Sequence, residues 1–190
     1  MTKSRLEAFS DGVLAILITI MVLEFKVPHG DSLEALRPLI PVALSYILSF
    51  IYLGIYWNNH HHLFQAVKTV RGGVLWANLH LLFWLSLFPF ATAWMGENRF
   101  TAMPSMVYGV VLFGAAIAYT ILVKTLLRHH EKDSVLARAI GKDTKGNVSL
   151  LCYLLGIGFA FVNPIISNSL YTLVAIIWLV PDTRIERQIE

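Results

Sequence analysis

RLEAFSDGVLAILITIMVL, residues 5–23, places three charged side chains at the start of a long apolar run. A transmembrane helix needs about 20 predominantly apolar residues. An ionisable group at membrane depth is costly, by roughly 2.5 to 3.5 kcal/mol on insertion scales, and usually has a partner or a function. We therefore expect a membrane helix whose polar residues, Ser10 and Asp11, bond to other parts of the protein.

The whole chain has the composition of a membrane protein. Its 190 residues are 56% hydrophobic and 14% charged, and its mean hydropathy is +0.64, outside the range of ordinary soluble domains. The net charge of +3 is more typical of cytoplasmic loops in a membrane protein than of a nucleic-acid partner. The single Cys152 provides neither a disulfide framework nor a thiolate metal cage.

Six apolar runs, separated by Gly, Pro or charged residues, predict an all-α membrane protein with six transmembrane helices in one domain, residues 1–190. The runs cover residues 9–27, 38–63, 74–95, 103–127, 148–162 and 164–180. Proline disfavours helix at the residue before it and is favoured at a helix start. The pair Asn163-Pro164 therefore splits the last apolar stretch into two short helices joined by a tight turn.

The basic residues predict the orientation in the membrane. Six spans place both termini on one side, and twelve of the fifteen Lys and Arg residues fall on that side. The other side holds Lys26, Arg37 and Arg99. Since basic residues are enriched in cytoplasmic loops, we expect both termini to be cytoplasmic. The polar loop at residues 124–147 is expected to be a solvated cytoplasmic connector.

One stripe of the first helix is nearly aliphatic. At 100° per residue, the stripe contains Gly12, Ile16, Thr19, Ile20, Leu23 and Val27. The part from Gly12 to Leu23 is 12 residues long, about 18 Å of helix, which is shorter than the ~30 Å hydrocarbon layer. We therefore expect this helix to lie inside a bundle.

Arg5 and Asp11 lie about 240° apart around the same helix, so they do not pair with each other. Their partners are expected on other helices or other subunits. The alternative is that both lie in the cytoplasmic interface and only orient the helix.

The second span ends in YWNNHHHLF, residues 56–64, with three consecutive histidines. Metal ligands on a helix usually lie at i and i+3 or i+4, whereas these side chains point in three directions, so a metal site is not expected. We expect Asn59, His60 or His61 to hydrogen-bond toward Ser10 and Asp11. The alternative for any one histidine is a position at the cytoplasmic interface.

The sequence favours transport over catalysis. It contains no nucleophile with its base, no glycine-rich phosphate loop and no zinc box, so neither an enzyme nor a cofactor is expected. A potassium channel filter of the TVGYG type is also absent. From the residues alone, a channel and a secondary or proton-linked transporter, with Asp11 and the His60/His61 group as a relay, remain open.

Three motifs resemble a known family. They are the Arg-x-x-x-Phe-Ser-Asp pattern at residues 5–11, the Trp-x-Asn-His-His pattern at 57–61 followed by Leu63-Phe64, and SLFPFATAWMGE at 86–97. Together they are similar to the lysosomal and prokaryotic potassium-channel family called transmembrane protein 175. The resemblance covers the first half of the chain by motif and the rest by the number of spans.

The resemblance implies a homotetramer in the plasma membrane of a prokaryote, permeable to potassium among monovalent cations, with the first helices lining a central pore. It places the constriction and selectivity at Ile16, Ile20 and Leu23, with Gly12 and Thr19 also lining the pore. The motif residues that would support this helix by hydrogen bonds are Arg5, Phe9, Ser10, Asp11, Trp57, Asn59, His60 and His61.

Overall fold

The structure, a computed structural model, describes residues 2–65, 67, 70–128 and 143–179. The regular elements in these ranges are all helical. The α-helices are α1 Lys3–Met21, α2 Ile40–Gln65, α3 Gly72–Ser86, α4 Phe88–Glu97, α5 Ala102–Leu127, α6 Thr144–Phe159 and α7 Pro164–Leu179. Short 3-10 helices cover Val22–Glu24 and Leu33–Leu39. Most of the connector expected at 124–147 lies outside the described residues.

Four helical stretches are long and apolar enough to cross a membrane. They are Lys3–Glu24, Leu33–Gln65, Gly72–Glu97 and Ala102–Leu127. Helices α6 and α7 have 16 residues each, or about 24 Å at 1.5 Å per residue. The all-helical prediction with six helical segments is confirmed, since α3 and α4 together form the third segment.

The third segment is one apolar run in the sequence but two helices in the structure. Helix α3 ends at Ser86 and α4 begins at Phe88. Pro89 lies in the first turn of α4, where its missing N–H is tolerated, whereas inside a continuous helix its ring would clash with the preceding turn. The break at Leu87 is therefore the structural consequence of Pro89.

The last two helices form the predicted pair. Helix α6 ends at Phe159 and α7 begins at Pro164. The side-chain oxygen of Asn163 accepts a hydrogen bond of 2.9 Å from the backbone N–H of Ile165, which satisfies one of the free donors at the start of a helix. The prediction of two short helices with a tight turn at Asn163-Pro164 is confirmed.

Tyrosine and phenylalanine rings fill the centre of the bundle. Tyr108 contacts Phe88 and Tyr171, with ring centroids 6.1 and 6.0 Å apart. Tyr171 is fully buried because Gly109 and Gly156 leave room for its ring: a Cβ atom at either glycine would overlap it. These two glycines therefore allow α5, α6 and α7 to approach each other closely.

Helix α1 lies at one side of this bundle. It contacts α2, α3 and α4, whereas α5 contacts α3, α4, α6 and α7. One face of α1 is therefore buried against the subunit, and the opposite face has no extensive cover from the described helices.

Candidate pore helix and its supporting contacts

The buried and exposed residues of α1 divide the helix lengthwise. The buried side chains are Leu6, Ser10, Leu14, Leu17 and Met21. They recur every three or four residues, the spacing of one helix face. Five of the six residues predicted to form the aliphatic stripe are exposed along these helical turns, namely Gly12, Ile16, Thr19, Ile20 and Leu23. The sixth, Val27, lies beyond the last helical turn, which ends at Glu24, so the prediction that the stripe extends to Val27 is wrong.

The exposed stripe is apolar and uncovered within one subunit. Ile16 is 59% exposed, Ile20 40% and Leu23 76%. Leu23 lies beyond the end of α1, in the 3-10 helix Val22–Glu24. An uncovered apolar stripe of this kind meets either lipid or further protein.

Two small or polar residues interrupt the stripe. A Cβ atom placed on Gly12 would meet no heavy atom within 4 Å, so packing inside the subunit does not require a glycine there. The Thr19 hydroxyl lies within hydrogen-bond distance of two carbonyl oxygens of its own helix, 3.0 Å from Ala15 and 2.9 Å from Ile16. Its proton is therefore used within α1, and its oxygen keeps lone pairs for other contacts.

A buried polar chain joins the start of α1 to α2 and α3. The Ser10 hydroxyl donates to the backbone oxygen of Leu6 at 3.0 Å and accepts from the Asn78 side-chain NH₂ at 2.9 Å. The side-chain oxygen of Asn78 lies 2.8 Å from His60 Nε2. Ser10, His60 and Asn78 are at most 3% exposed. Three helices are thus held together by one hydrogen-bonded chain, with Asn78 at its centre.

A second contact ties α1 to α2 at the surface. The indole Nε1–H of Trp57 donates to Asp11 Oδ1 at 3.0 Å. The Trp57 ring also stacks on His61, with centroids 6.2 Å apart. Asp11 and Trp57 are both exposed, so this hydrogen bond lies at the edge of the buried face.

The remaining candidates form no hydrogen bond with Ser10, Asp11, Trp57, His60 or Asn78 within the described part of the chain. The Asn59 side chain donates to the backbone oxygen of Ile55 in its own helix. His61 lies 2.8 Å from the Gln65 side chain, and Phe9 is 52% exposed. Arg5 is exposed and forms no hydrogen bond or ion pair within the described part of the chain. Among those residues, no hydrogen bond joins Asp11 to His60 or His61, as the relay of a transporter would require.

The residue that sequence reasoning missed is Asn78. It lies two positions before His80 in an otherwise apolar helix, and a buried amide in a membrane helix needs partners on other helices. The sequence carries that signal, but it does not specify which helices supply the partners. The described residues contain no group of three or more His, Cys, Asp or Glu side chains that could hold a metal ion.

The opposite end of α1 is held by different contacts. The Thr92 hydroxyl lies 3.9 Å from the sulfur of Met21 and 2.6 Å from the Ser49 hydroxyl. Ser49 in turn lies 2.9 Å from the Tyr108 hydroxyl. Helix α1 is therefore linked to α4, and through Thr92 to α2 and α5.

Just beyond this end of α1, Lys26 pairs with Glu97 at 2.6 Å. The hydrogen bond to Glu97 and the charge of its carboxylate raise the pKa of Lys26. The pair is exposed, so it contributes little to stability. Whatever it contributes is fully present below the ordinary pKa of lysine and is lost as the pH rises through the raised value.

Comparison with known proteins decides the family. Residues 5–89 match the family described as endosomal/lysosomal potassium channel TMEM175. A protein of Chryseobacterium sp. (strain P1-3) named potassium channel is 57% identical over 190 residues, covering 100% of this chain and 99% of the relative. The chain belongs to the TMEM175 family. A second relative, a protein of Streptomyces collinus named potassium channel, is 33% identical over 185 residues, 92% of this chain and 90% of the relative.

A solved structure shows the same TMEM175 fold. The crystal structure described as a lysosomal potassium-selective channel TMEM175 homolog from Chamaesiphon minutus superimposes with a TM-score of 0.80. The two chains are 30% identical, and the match covers 95% of this chain and 97% of that one. The resemblance to the family inferred from the motifs is thus confirmed. The three aliphatic residues Ile16, Ile20 and Leu23 and the Ser10–Asn78–His60 chain lie within the matched residues 5–89.

Proposed function

We propose that four copies of this chain assemble into a potassium channel whose pore is lined by the exposed stripe of α1. The observation that carries this proposal is the uncovered row of Ile16, Ile20 and Leu23 in a member of a potassium-channel family. Gly12 and Thr19 complete the pore wall. Each chain contributes one domain, residues 1–190.

The physical basis of selectivity in this arrangement is dehydration. Four Ile16 side chains around a narrow pore form an apolar ring that repels water and opposes the passage of a hydrated ion. Potassium releases its water more readily than sodium, so it crosses such a ring at a lower cost. The pore therefore discriminates without a ring of carbonyl oxygens.

The contacts of α1 suggest two kinds of support. Ser10, Asn78 and His60 hold α1 within its own subunit. Arg5, which has no partner within the described part of its own chain, bonds across the interface to a neighbouring subunit. In the same proposal, Phe9, Asp11, Trp57, Asn59 and His61 border this interface.

The orientation follows from the distribution of charge. Both termini lie in the cytoplasm of a prokaryotic cell, and the chain crosses its plasma membrane several times. Lys26, Arg37 and Arg99 lie on the outer side. Accessibility of single cysteines to a membrane-impermeant thiol reagent, introduced at Lys3 and at Arg37 in a background where Cys152 is serine, tests this orientation: labelling of intact cells at position 3 would contradict it.

The decisive experiment is Ile16→Asn in reconstituted bilayers. A polar ring hydrates the constriction, so we expect a larger conductance and weaker discrimination of K⁺ from Na⁺, measured as a shift of the reversal potential under bi-ionic conditions. The matched control is Ile165→Asn in the first turn of α7, where the side chain is 75% exposed and away from α1. Unchanged reversal potentials in Ile16→Asn would remove Ile16 from the selectivity role.

A further inference from the structure

Five aromatic rings, together with smaller apolar and polar residues, line a cavity between α2, α5, α6 and α7. Its empty space is about 500 Å³ when the open mouth is included. The rings are those of Tyr52, Tyr56, Tyr119, Tyr153 and Trp178. No described residue of α1 lines it, so the cavity is separate from the proposed pore.

The charged residue among the described lining residues is Asp143, which is exposed at the start of α6. Its Oδ1 accepts a 2.8 Å hydrogen bond from the backbone N–H of Gly146 and so caps α6. A Cβ atom on Gly146 would overlap the Asp143 carboxylate, which shows how closely the carboxylate lies over this first turn. A negative charge thus stands at the mouth of an aromatic cavity.

The hydroxyl of Tyr56 is an unused polar group beside this space. Tyr56 is 8% exposed and borders the cavity, yet its hydroxyl forms no hydrogen bond with any residue that the structure describes. The neighbouring Tyr119 hydroxyl, in contrast, donates to the backbone oxygen of Asn59 at 3.2 Å. A donor entering the cavity would therefore find the Tyr56 oxygen available as an acceptor.

The indole ring of Trp178 is fixed and already accepts a cation. Its Nε1–H donates to the Ser149 hydroxyl at 2.8 Å, which holds the ring in place. The Lys145 ammonium lies 5.8 Å from the ring centroid, within the range of a cation–π contact. The protein itself thus shows that an ammonium group is compatible with this aromatic wall.

We propose that this cavity binds a primary alkylammonium group. The aromatic faces attract the cation through their quadrupoles, the Asp143 carboxylate supplies the opposite charge, and the Tyr56 oxygen accepts an N–H. The same chemistry is offered by a soluble amine and by the ethanolamine head group of a membrane lipid.

The test uses the full chain purified in deuterated detergent and n-butylammonium as the probe, with binding measured by saturation-transfer NMR. Asp143→Asn removes the charge but keeps a residue that caps helices well, so the fold is retained. We expect roughly tenfold weaker binding or more in this variant, since a charge-assisted hydrogen bond is lost. Tyr56→Phe keeps the ring, removes only the hydroxyl and is expected to weaken binding severalfold.

The matched control is Asp31→Asn, an exposed carboxylate in the loop between α1 and α2, which is expected to bind n-butylammonium like the wild type. Tetramethylammonium, which has the charge but no N–H, is expected to bind more weakly than n-butylammonium. Wild-type affinity in both Asp143→Asn and Tyr56→Phe would overturn the proposal, and so would loss of binding in Ile16→Ala, because the probe would then occupy the pore.

Native mass spectrometry distinguishes the two sources. Channels taken from nanodiscs of mixed phosphatidylethanolamine and phosphatidylglycerol are compared for retained lipid. Selective retention of phosphatidylethanolamine that disappears in Asp143→Asn identifies the lipid as the source, whereas equal retention together with n-butylammonium binding identifies a soluble amine. If the protein neither binds n-butylammonium nor selectively retains phosphatidylethanolamine, the proposed site is wrong. The pore proposal is unaffected by that result.

Discussion

The two faces of α1 differ in what determines them. On the buried face, Ser10 and Leu17 have their partners within the same chain. On the exposed face, Ile16 and Ile20 have large apolar side chains that nothing in the subunit covers. The first face therefore contributes to the stability of a subunit, and the second acquires its role only where several subunits meet.

This difference explains why neighbouring residues of one helix have different roles. Ile16 and Leu17 are adjacent and chemically similar, but a step of 100° separates a side chain that is 59% exposed from one that is 5% exposed. Composition alone does not distinguish them.

Leu17→Ala should destabilise the subunit by about 2 to 5 kcal/mol, because a buried side chain is replaced by a cavity. Ile16→Ala should change the free energy of unfolding by less than about 0.5 kcal/mol, as for an exposed position. Denaturation of detergent-solubilised, dissociated subunits measures both. Equal losses in the two variants would show that the two faces are not distinct.

Asn78→Ala should cost about 1 to 3 kcal/mol, since His60 loses its partner in a buried site and Ser10 loses a donor. Thermal unfolding of the purified protein measures the loss, and Asn147→Ala, at an exposed position in the first turn of α6, is the control. A stability equal to the wild type would mean that the polar chain does not anchor α1.

Trp57→Phe should cost less, about 0.5 to 1.5 kcal/mol, because one hydrogen bond to Asp11 is lost while the aromatic ring is kept. The same variant should weaken the assembly if this edge of α1 borders a neighbouring subunit. Size-exclusion chromatography coupled to light scattering reports the oligomer. An intact oligomer with an unchanged melting temperature would contradict both statements.

Gly12→Ala should have the smallest effect on a separate subunit, a stabilisation of about 0.5 to 1 kcal/mol from reduced flexibility of the unfolded chain and better helix propensity. A new Cβ there meets open space in one chain. In the proposed tetramer the α1 helices approach each other, so the variant should lower the oligomer fraction. A stabilised subunit with an undisturbed oligomer would show that Gly12 faces neither the pore nor a neighbour.

Much of the architecture was predictable because the length of an apolar run and the position of a proline are local features of the sequence that determine where a helix can form. The six runs, the turn at Asn163-Pro164 and the stripe of α1 follow from the period of the helix and the thickness of the membrane. The break at Leu87 was missed, although Pro89 was visible, since the apolar run continues through it. Hydropathy indicates that a segment is apolar enough for a membrane, but it does not show where one helix ends and the next begins within that segment.

The polar contacts were only partly predictable because they depend on how helices rotate against each other. The sequence indicated that Ser10 meets polar groups of α2, but it did not show that Asn78 of α3 stands between Ser10 and His60. Likewise, the three consecutive histidines gave no indication of which one is buried. The structure shows that it is His60, which bonds to Asn78 of α3 and is 3% exposed.

The contacts at the two ends of α1 bear on how a pore could open. Asn78 holds Ser10 near the start of α1, and Thr92 contacts Met21 at its end. A helix with side-chain contacts at both ends does not rotate about its own axis without losing at least one of those contacts. We therefore expect opening to shift whole subunits against their neighbours, so spin-label distances between α1 and α4 of one subunit should stay constant while those between subunits change.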